Sequence, residues 1–384
     1  MKATEAKLLD FLKKSPQFII PIYQRMYSWT ESECQKLWDD IIRTGYNDNI
    51  SAHFIGSIVY IEKGLYHITS QSALLVIDGQ QRLTTVSLIL EALSRQLNEN
   101  EPLEGFSAKK LRNYYLLNTL EDDEKRYKLI LTQTDKKSLL TLLEQKSWPL
   151  ECSLRIKENF EFFEKRIEKL DDDIIFLCKG LAKLIIVDIS LNRDQDNPQL
   201  IFESMNSTGR ELSQADLIRN FILMGLDPKD QTQLYNNYWR PMEISFGQEA
   251  YGTHFDKFMR YYLTVKTGDI PNIKNVYEAF KSYSKTSEIA DAGIESLVKD
   301  IHAFAGYYCA IALGKESDNR LIAAFRDLRE LKVDVAYPFL LEMYHDYSDG
   351  LLQKDELEQA VRLVESYVFR RAICSIPTNS GSSG

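Results

Sequence analysis

The segment LIIVDI at 184–189 is an apolar run of strand length. Roughly a hundred residues of mainly helix-patterned sequence separate it from the nearest earlier strand-like run. A lone strand leaves its backbone N–H and C=O groups unpaired, so it must find partners far back in the chain. Three early runs are available: FIIPIY at 18–23, FIGSIVYI at 54–61 and ALLVID at 73–78. The economical arrangement is one small mixed sheet holding all four, with residues 101–180 as a large helical insertion. From Pro198 onward the pattern is helical almost to the end. The fold class is therefore α+β, with a mostly helical C-terminal half. We expect one domain over 1–225, carrying sheet and insertion, and a helical domain over 226–379. SGSSG at 380–384 reads as an appended tail outside the fold.

Helix signals support this division. Thr30 and Glu33 have capping-box spacing, and Cys34, Leu37, Trp38, Ile41 and Ile42 follow on one face. Leu83, Val86, Leu90, Leu93 and Leu97 form a second stripe. The opening MKATEAKLLDFLKK reads as a short amphipathic helix without a signal-peptide core. The net charge of −9 removes any whole-chain basic footprint, so contact with DNA must use a local basic site. No apolar run approaches the ~18 residues of a membrane span. Five cysteines in no paired motif point to a reducing, cytoplasmic setting without a disulfide frame.

Three polar clusters stand out. In the first, IPIYQRMYSW at 20–29, an extended segment carries Tyr23, Gln24 and Arg25 between aromatics. Arg25 suits a phosphate or base contact framed by Tyr23, Tyr27 and Trp29; the same spacing suits a packed loop with a surface ion pair. In the second, VIDGQQRLTT at 76–85, a buried strand meets a Gly turn and a helix starts at once. Unpaired N–H groups at a helix start favour an anion. Gly79 and Gln80 lie in that turn, Arg82 adds a planar fork of donors, and Thr84 and Thr85 add hydroxyls. Asp78 suits a metal ion or the orientation of Arg82. Asp78 and Gln81 also have capping-box spacing, so simple capping explains part of the pattern. The third cluster is FESMNSTGRELSQADLIRN at 202–220. Glu203 and Asn206 lie near one helix end, while Asp216, Arg219 and Asn220 share a polar face of the next helix. Two such helix ends suit a ligand or a metal, or are only capped and solvated. The histidines are scattered; His53 alone lies near the first two clusters. No Walker A, HExxH or CxxC pattern occurs.

The ordered set IPIYQRMYSW, HFIGSIVY, VIDGQQRLTT and FESMNSTGRELSQADLIRN resembles the N-terminal domain of GmrSD-type modification-dependent (type IV) restriction proteins. The segment YVFRRAIC at 367–374 is similar to the one that closes this domain in the family. The resemblance implies a fold similar to the ParB/sulfiredoxin nucleotidase domain. It places Asp78, Gly79, Gln80, Gln81 and Arg82 at a triphosphate and, by looser analogy, gives Asn206 a share in holding phosphates and metal, with Glu203 and Asp216 beside it. It implies nucleoside triphosphate hydrolysis coupled to recognition of modified phage DNA. An HNH-type nuclease domain or subunit usually accompanies this domain and is expected outside this chain.

The expected function is thus a nucleoside triphosphate-binding and hydrolysing sensor domain of an anti-phage DNA restriction system. Asp78, Gln81 and Arg82 are the candidate catalytic residues. Tyr23, Gln24, Arg25, Gly79, Gln80, Thr84, Thr85 and Asn206 are candidate nucleotide contacts. Glu203 and Asp216 are candidate ligands of Mg²⁺, which suits carboxylates and phosphates better than zinc does. Either Asp78 or Glu203 suits the positioning of water. The alternative is a modified-DNA-binding module whose nucleotide pocket is inactive; a nuclease within these residues lacks a recognisable metal motif. Implied partners are modified DNA, the HNH-type nuclease and, as an option, a second copy of the chain in a homo-oligomer. No membrane partner is expected.

Overall fold

The computed structural model describes residues 1–62, 72–97, 100–192, 196–206, 212–332 and 334–374, with backbone only at Pro198, Met205, Asn206 and Pro228. They form two compact units, Met1–Gly209 and Arg210–Gly384. The expected boundary at 225 would have kept the helix at 214–224 with the sheet; packing divides the chain ahead of it.

The first unit is built on a six-stranded mixed sheet. Its strands are β1 (Lys2–Lys7), β2 (Phe18–Ile19), β3 (His53–Glu62), β4 (Leu74–Asp78), β5 (Leu129–Ile130) and β6 (Leu184–Leu191), in the order β1-β6-β3-β4-β2-β5. All four expected runs share this sheet. β6 returns alongside β3 in parallel, from His53 opposite Leu184 to Ile61 opposite Leu191. β3 and β4 are antiparallel, and β4, β2 and β5 run parallel. β2 stops early because Pro21 has no N–H to give a ladder.

Two details depart from expectation. Residues 2–7 are an edge strand antiparallel to β6, and the helix begins only at Leu8. The outer edge of β6 offers unpaired backbone groups, and this pairing outweighs the weak helical preference of a short charged segment. Second, the helical insertion contributes β5, so it is stitched into the sheet.

The helices of this unit used below are α1 (Leu8–Lys14), α2 (Glu31–Tyr46), α3 (Gln80–Leu97), α4 (Gln133–Leu143), α5 (Leu154–Ile167), α6 (Ile174–Ala182) and α7 (Pro198–Asn206). The Leu83–Leu97 stripe of α3 is fully in the core, and Leu88 and Ile89 on its other faces are buried too. Such a helix must be covered all round, and α5 of the insertion packs along it. Glu91, also fully buried, bonds Arg95 at 2.9 Å and Arg112 with its other oxygen. Arg95 in turn donates to the Leu142 carbonyl at the end of α4 (2.8 Å). The insertion is thus clamped to α3 by charge-assisted bonds as well as apolar contact.

Helices α2 and α6 touch backbone to backbone. A methyl group added at Gly180 would overlap the Ile41 carbonyl, and one at Gly45 would overlap the Phe176 carbonyl. Backbone cannot swing aside as a side chain can. Gly180→Ala is therefore expected to cost about 1–3 kcal/mol through forced separation of the helices, read as a lower Tm. An unchanged Tm would show that the crossing is looser than this.

The described residues of the second unit are mostly helical. They include α8 (Gln214–Met224), α9 (Arg240–Phe246), α10 (Gln248–Thr267) and α11 (Ile294–Leu313). Phe246, Phe255, Phe258, Tyr262, Phe304 and Tyr308 fill its core. No helix among the described residues is long and apolar enough to cross a membrane.

Candidate functional site

The carboxyl end of β4 runs through Asp78 into Gly79, whose φ of +99° lies where side chains are strained. A Cβ there would also approach the Ser57 carbonyl at 3.0 Å. Helix α3 then starts at Gln80. Its first satisfied intrahelical N–H is that of Leu83, bonded to the Gly79 carbonyl at 3.0 Å. The N–H groups before it have no intrahelical acceptor and carry the positive end of the helix dipole.

Two flanks enclose this turn. On the β2 side, residues 20–29 are laid against it by a dense set of bonds. Gln24 Nε2 donates to the Ile77 carbonyl (2.8 Å) and Gln80 Nε2 to the Arg25 carbonyl (2.7 Å). Gln81 takes both sides of the chain, donating to Met26 O (3.3 Å) and accepting from Ser28 N–H (2.9 Å). Gln81 is therefore a tether for residues 26–28, which corrects the capping-box reading with Asp78. At Thr30 the expected capping box does form, with its N–H on Glu33 at 2.7 Å. The Thr84 and Thr85 hydroxyls turn back onto the Gln80 and Gln81 carbonyls, at 2.9 and 2.8 Å. Both threonines are buried, and so are Tyr23 and Gln24. Arg25, Gln80, Gln81 and Thr84 line a narrow crevice with Ile20, Tyr27, Leu131, Thr132 and Asp135.

On the β3 side lies Arg82. Its Nη1 donates to the Ser57 carbonyl and stands 3.8 Å from Asp78 Oδ2. The guanidinium lies against Gly56, where a Cβ would come within 2.7 Å of Cζ. Gly56 has φ +113°, and the β3–β6 register shifts between Phe54 and Ser57. The side chains of Arg82 and Asp78 are 28% and 30% exposed, so both can meet a ligand. Arg25 and Arg82 thus approach the turn from opposite sides of β4. His53, at the start of β3, pairs with Asp40 of α2 at 3.6 Å.

The third cluster divides. Helix α7 packs against β4, the strand that ends in Asp78. Its Glu203 accepts from Gln199 at 3.1 Å, and the Asn206 side chain lies outside the described residues. Asp216, Arg219 and Asn220 belong to the second unit and are buried there, a correction to the solvated-face reading. Arg219 bonds Asp216 (2.7 Å) and Glu243 (2.8 Å), and Glu243 also accepts from the Tyr235 hydroxyl (2.5 Å). Asp216 therefore serves as counter-ion to a buried arginine. Burial raises the Glu243 carboxyl above its usual range. Among the described residues no three His, Cys, Asp or Glu side chains gather as a metal set would.

Sequence reasoning missed Gly56, Ser57, Asp135 and Asn159. A glycine inside a strand pattern is a bulge signal, so Gly56 had a local trace. Asp135 had none, because its role depends on β5 bringing α4 beside β2. This carboxylate is only 2% exposed and accepts the Tyr27 N–H at 2.5 Å. Burial pushes its carboxyl up from 3.8 to about 6. The folded state then holds the proton more tightly than the unfolded chain. That contribution favours folding below about pH 4 and is lost as pH rises through about 6. Asp135→Asn should flatten this part of the stability–pH curve, measured by denaturant unfolding between pH 4 and 7. An unchanged slope would mean the carboxyl titrates normally.

Residues 7–223 match the family described as GmrSD restriction endonuclease, N-terminal domain. The match takes in strands β2 to β6, the insertion, the Asp78–Arg82 turn and nearly all of α8. An uncharacterized protein of Methanocaldococcus jannaschii is 24% identical over 234 residues, covering 55% of this chain and 40% of that protein. The chain therefore spans less than half the length of this relative. Since the matched region is more than half of the 384 residues and contains the turn on which the polar groups gather, the chain belongs to the GmrSD restriction endonuclease N-terminal domain family.

Proposed function

We propose that the first unit binds and hydrolyses a nucleoside triphosphate as the sensor part of a DNA restriction system. The observation that carries this reading is the turn itself. Unpaired N–H groups open α3 straight after Gly79, and Arg82 is held beside them by Ser57 and Gly56 with its side chain part-exposed. Dipole and fork together favour a phosphate chain. The chain's own work would be to neutralise and orient the phosphates, the main demand of phosphoryl transfer to water. Arg25 would supply a second cation, from the other side of β4. Mg²⁺ fits the residues present, since it is commonly held by one or two carboxylates plus substrate phosphates. Asp78 is a part-exposed carboxylate at the turn, and Glu203 lies on the helix packed against its strand. The ion would supply charge neutralisation at the phosphates. We assign the recognition of modified DNA to this protein and cleavage to an accompanying HNH-type nuclease.

One observation favours a second reading, nucleotide or modified-DNA binding without turnover. Gln80, Gln81, Thr84 and Thr85 are all engaged within the protein, which leaves few groups to direct a water. Phosphate release separates the two. The purified chain with ATP or GTP and Mg²⁺ is expected to release phosphate above the level of Arg82→Ala, and not to cut modified DNA by itself. Tight binding of either nucleotide with no release would establish the second reading.

A further inference from the structure

We propose that the helical insertion is a working part of the nucleotide site: Asp135 of α4 and Asn159 of α5 are positioning residues that hold residues 25–29 against the start of α3. The functional consequence rests on the nucleotide reading above. The segment is gripped on both sides. From α3, Gln80 and Gln81 hold the carbonyls of Arg25 and Met26 and the N–H of Ser28. From the insertion, Asp135 holds the Tyr27 N–H at 2.5 Å, and Asn159 Nδ2 donates to the Trp29 carbonyl at 2.8 Å. Tyr27 joins the two sides, since its hydroxyl meets Thr85 of α3 at 2.7 Å and Asn159 of α5 at 3.0 Å.

Each tether is specific. Asp135 and Asn159 are almost wholly buried, and a buried polar group is costly unless its partner is present. Both are polar residues on otherwise core-facing helix surfaces, beside Leu139, Leu142, Ile156 and Phe163. An apolar side chain would pack such positions at less cost, so their use here marks a demand for geometry at Tyr27. Asp135 and Arg25 also line the same crevice. The insertion thus fixes the backbone from which Arg25 reaches the site, and movement of α4 or α5 would be felt there directly.

The test compares Asp135→Ala, Asp135→Asn, Asn159→Ala and, as a control, Leu139→Ala. Leu139 is fully buried in α4 and its truncation weakens the same core. The measurements are hydrogen exchange at the Tyr27 and Ser28 amides, Tm, and the Kd for ATP and for GTP with Mg²⁺. Asp135→Ala and Asn159→Ala are expected to speed exchange at these amides and to weaken nucleotide binding, each by about tenfold. Asp135→Asn keeps an acceptor for the Tyr27 N–H and should restore both. Leu139→Ala should lower Tm while leaving Kd near the wild-type value. Equal loss of affinity in Leu139→Ala and Asp135→Ala would overturn the proposal, as would unchanged exchange in Asp135→Ala. If the wild-type chain binds neither nucleotide, the nucleotide reading fails. Exchange at Tyr27 then decides the positioning role alone, with acceleration rescued by Asn supporting it.

Discussion

Arg82→Ala should lower nucleotide affinity or turnover by roughly tenfold to a hundredfold, the equivalent of about 1.5–3 kcal/mol for one charge-assisted contact. Stability should move far less. The ion pair with Asp78 spans 3.8 Å and both side chains are part-exposed. Such a pair contributes about 0–1 kcal/mol. The core stripe of α3 does not involve the guanidinium, and Leu83 through Leu97 remain packed. Arg82→Lys should rescue poorly. An ammonium can replace one donor, either to Ser57 or to a phosphate oxygen, but cannot span both as a planar fork does. Titration calorimetry with ATP and GTP, paired with a melting curve on the same variant, checks both halves. A lower Tm with unchanged nucleotide affinity would make Arg82 a structural partner of Asp78 and Ser57 and would sink the phosphate-clamp reading.

The contrast between these two flanks shows what a single sequence can disclose. β3, β4 and β6 were legible because each is an apolar run that cannot bury itself alone. The Asp78–Gly79 turn was legible because strand, glycine and helix follow one another directly. β1 was not: Lys2–Lys7 owes its strand to the free edge of β6, which lies far along the chain. The tethers to residues 25–29 were hidden for the same reason. Gln80 and Gln81 look like free polar groups at a helix start, and only the parallel pairing of β2 with β4 brings carbonyls within their reach. Asp135 and Asn159 are the extreme cases, since their partners in residues 27–29 lie 108 to 132 residues away. Local chemistry shows in local pattern, while the assignment of polar groups to one another depends on strand order.

Strand order also creates the demand on Gly56, and Gly56→Ala should be among the most damaging small substitutions in the first unit. Two costs add. At φ +113° any side chain is strained, by about 1–3 kcal/mol. A Cβ would also lie 2.7 Å from Cζ and 2.9 Å from Nε of Arg82, well inside contact distance. The guanidinium is the end of a flexible chain and can move, so the second cost appears mainly as displacement of Arg82 from Ser57 and Asp78. We expect a stability loss of about 2–4 kcal/mol together with a loss of nucleotide affinity near that of Arg82→Ala. The double variant separates the two sources. With Arg82 already truncated, Gly56→Ala should cost only the backbone strain and should weaken nucleotide binding no further. Non-additivity of this kind is the signature of residues in direct contact. If the two substitutions instead add fully in both stability and affinity, Gly56 acts on the β3 bulge alone, and the seat we assign to Arg82 is not what positions it.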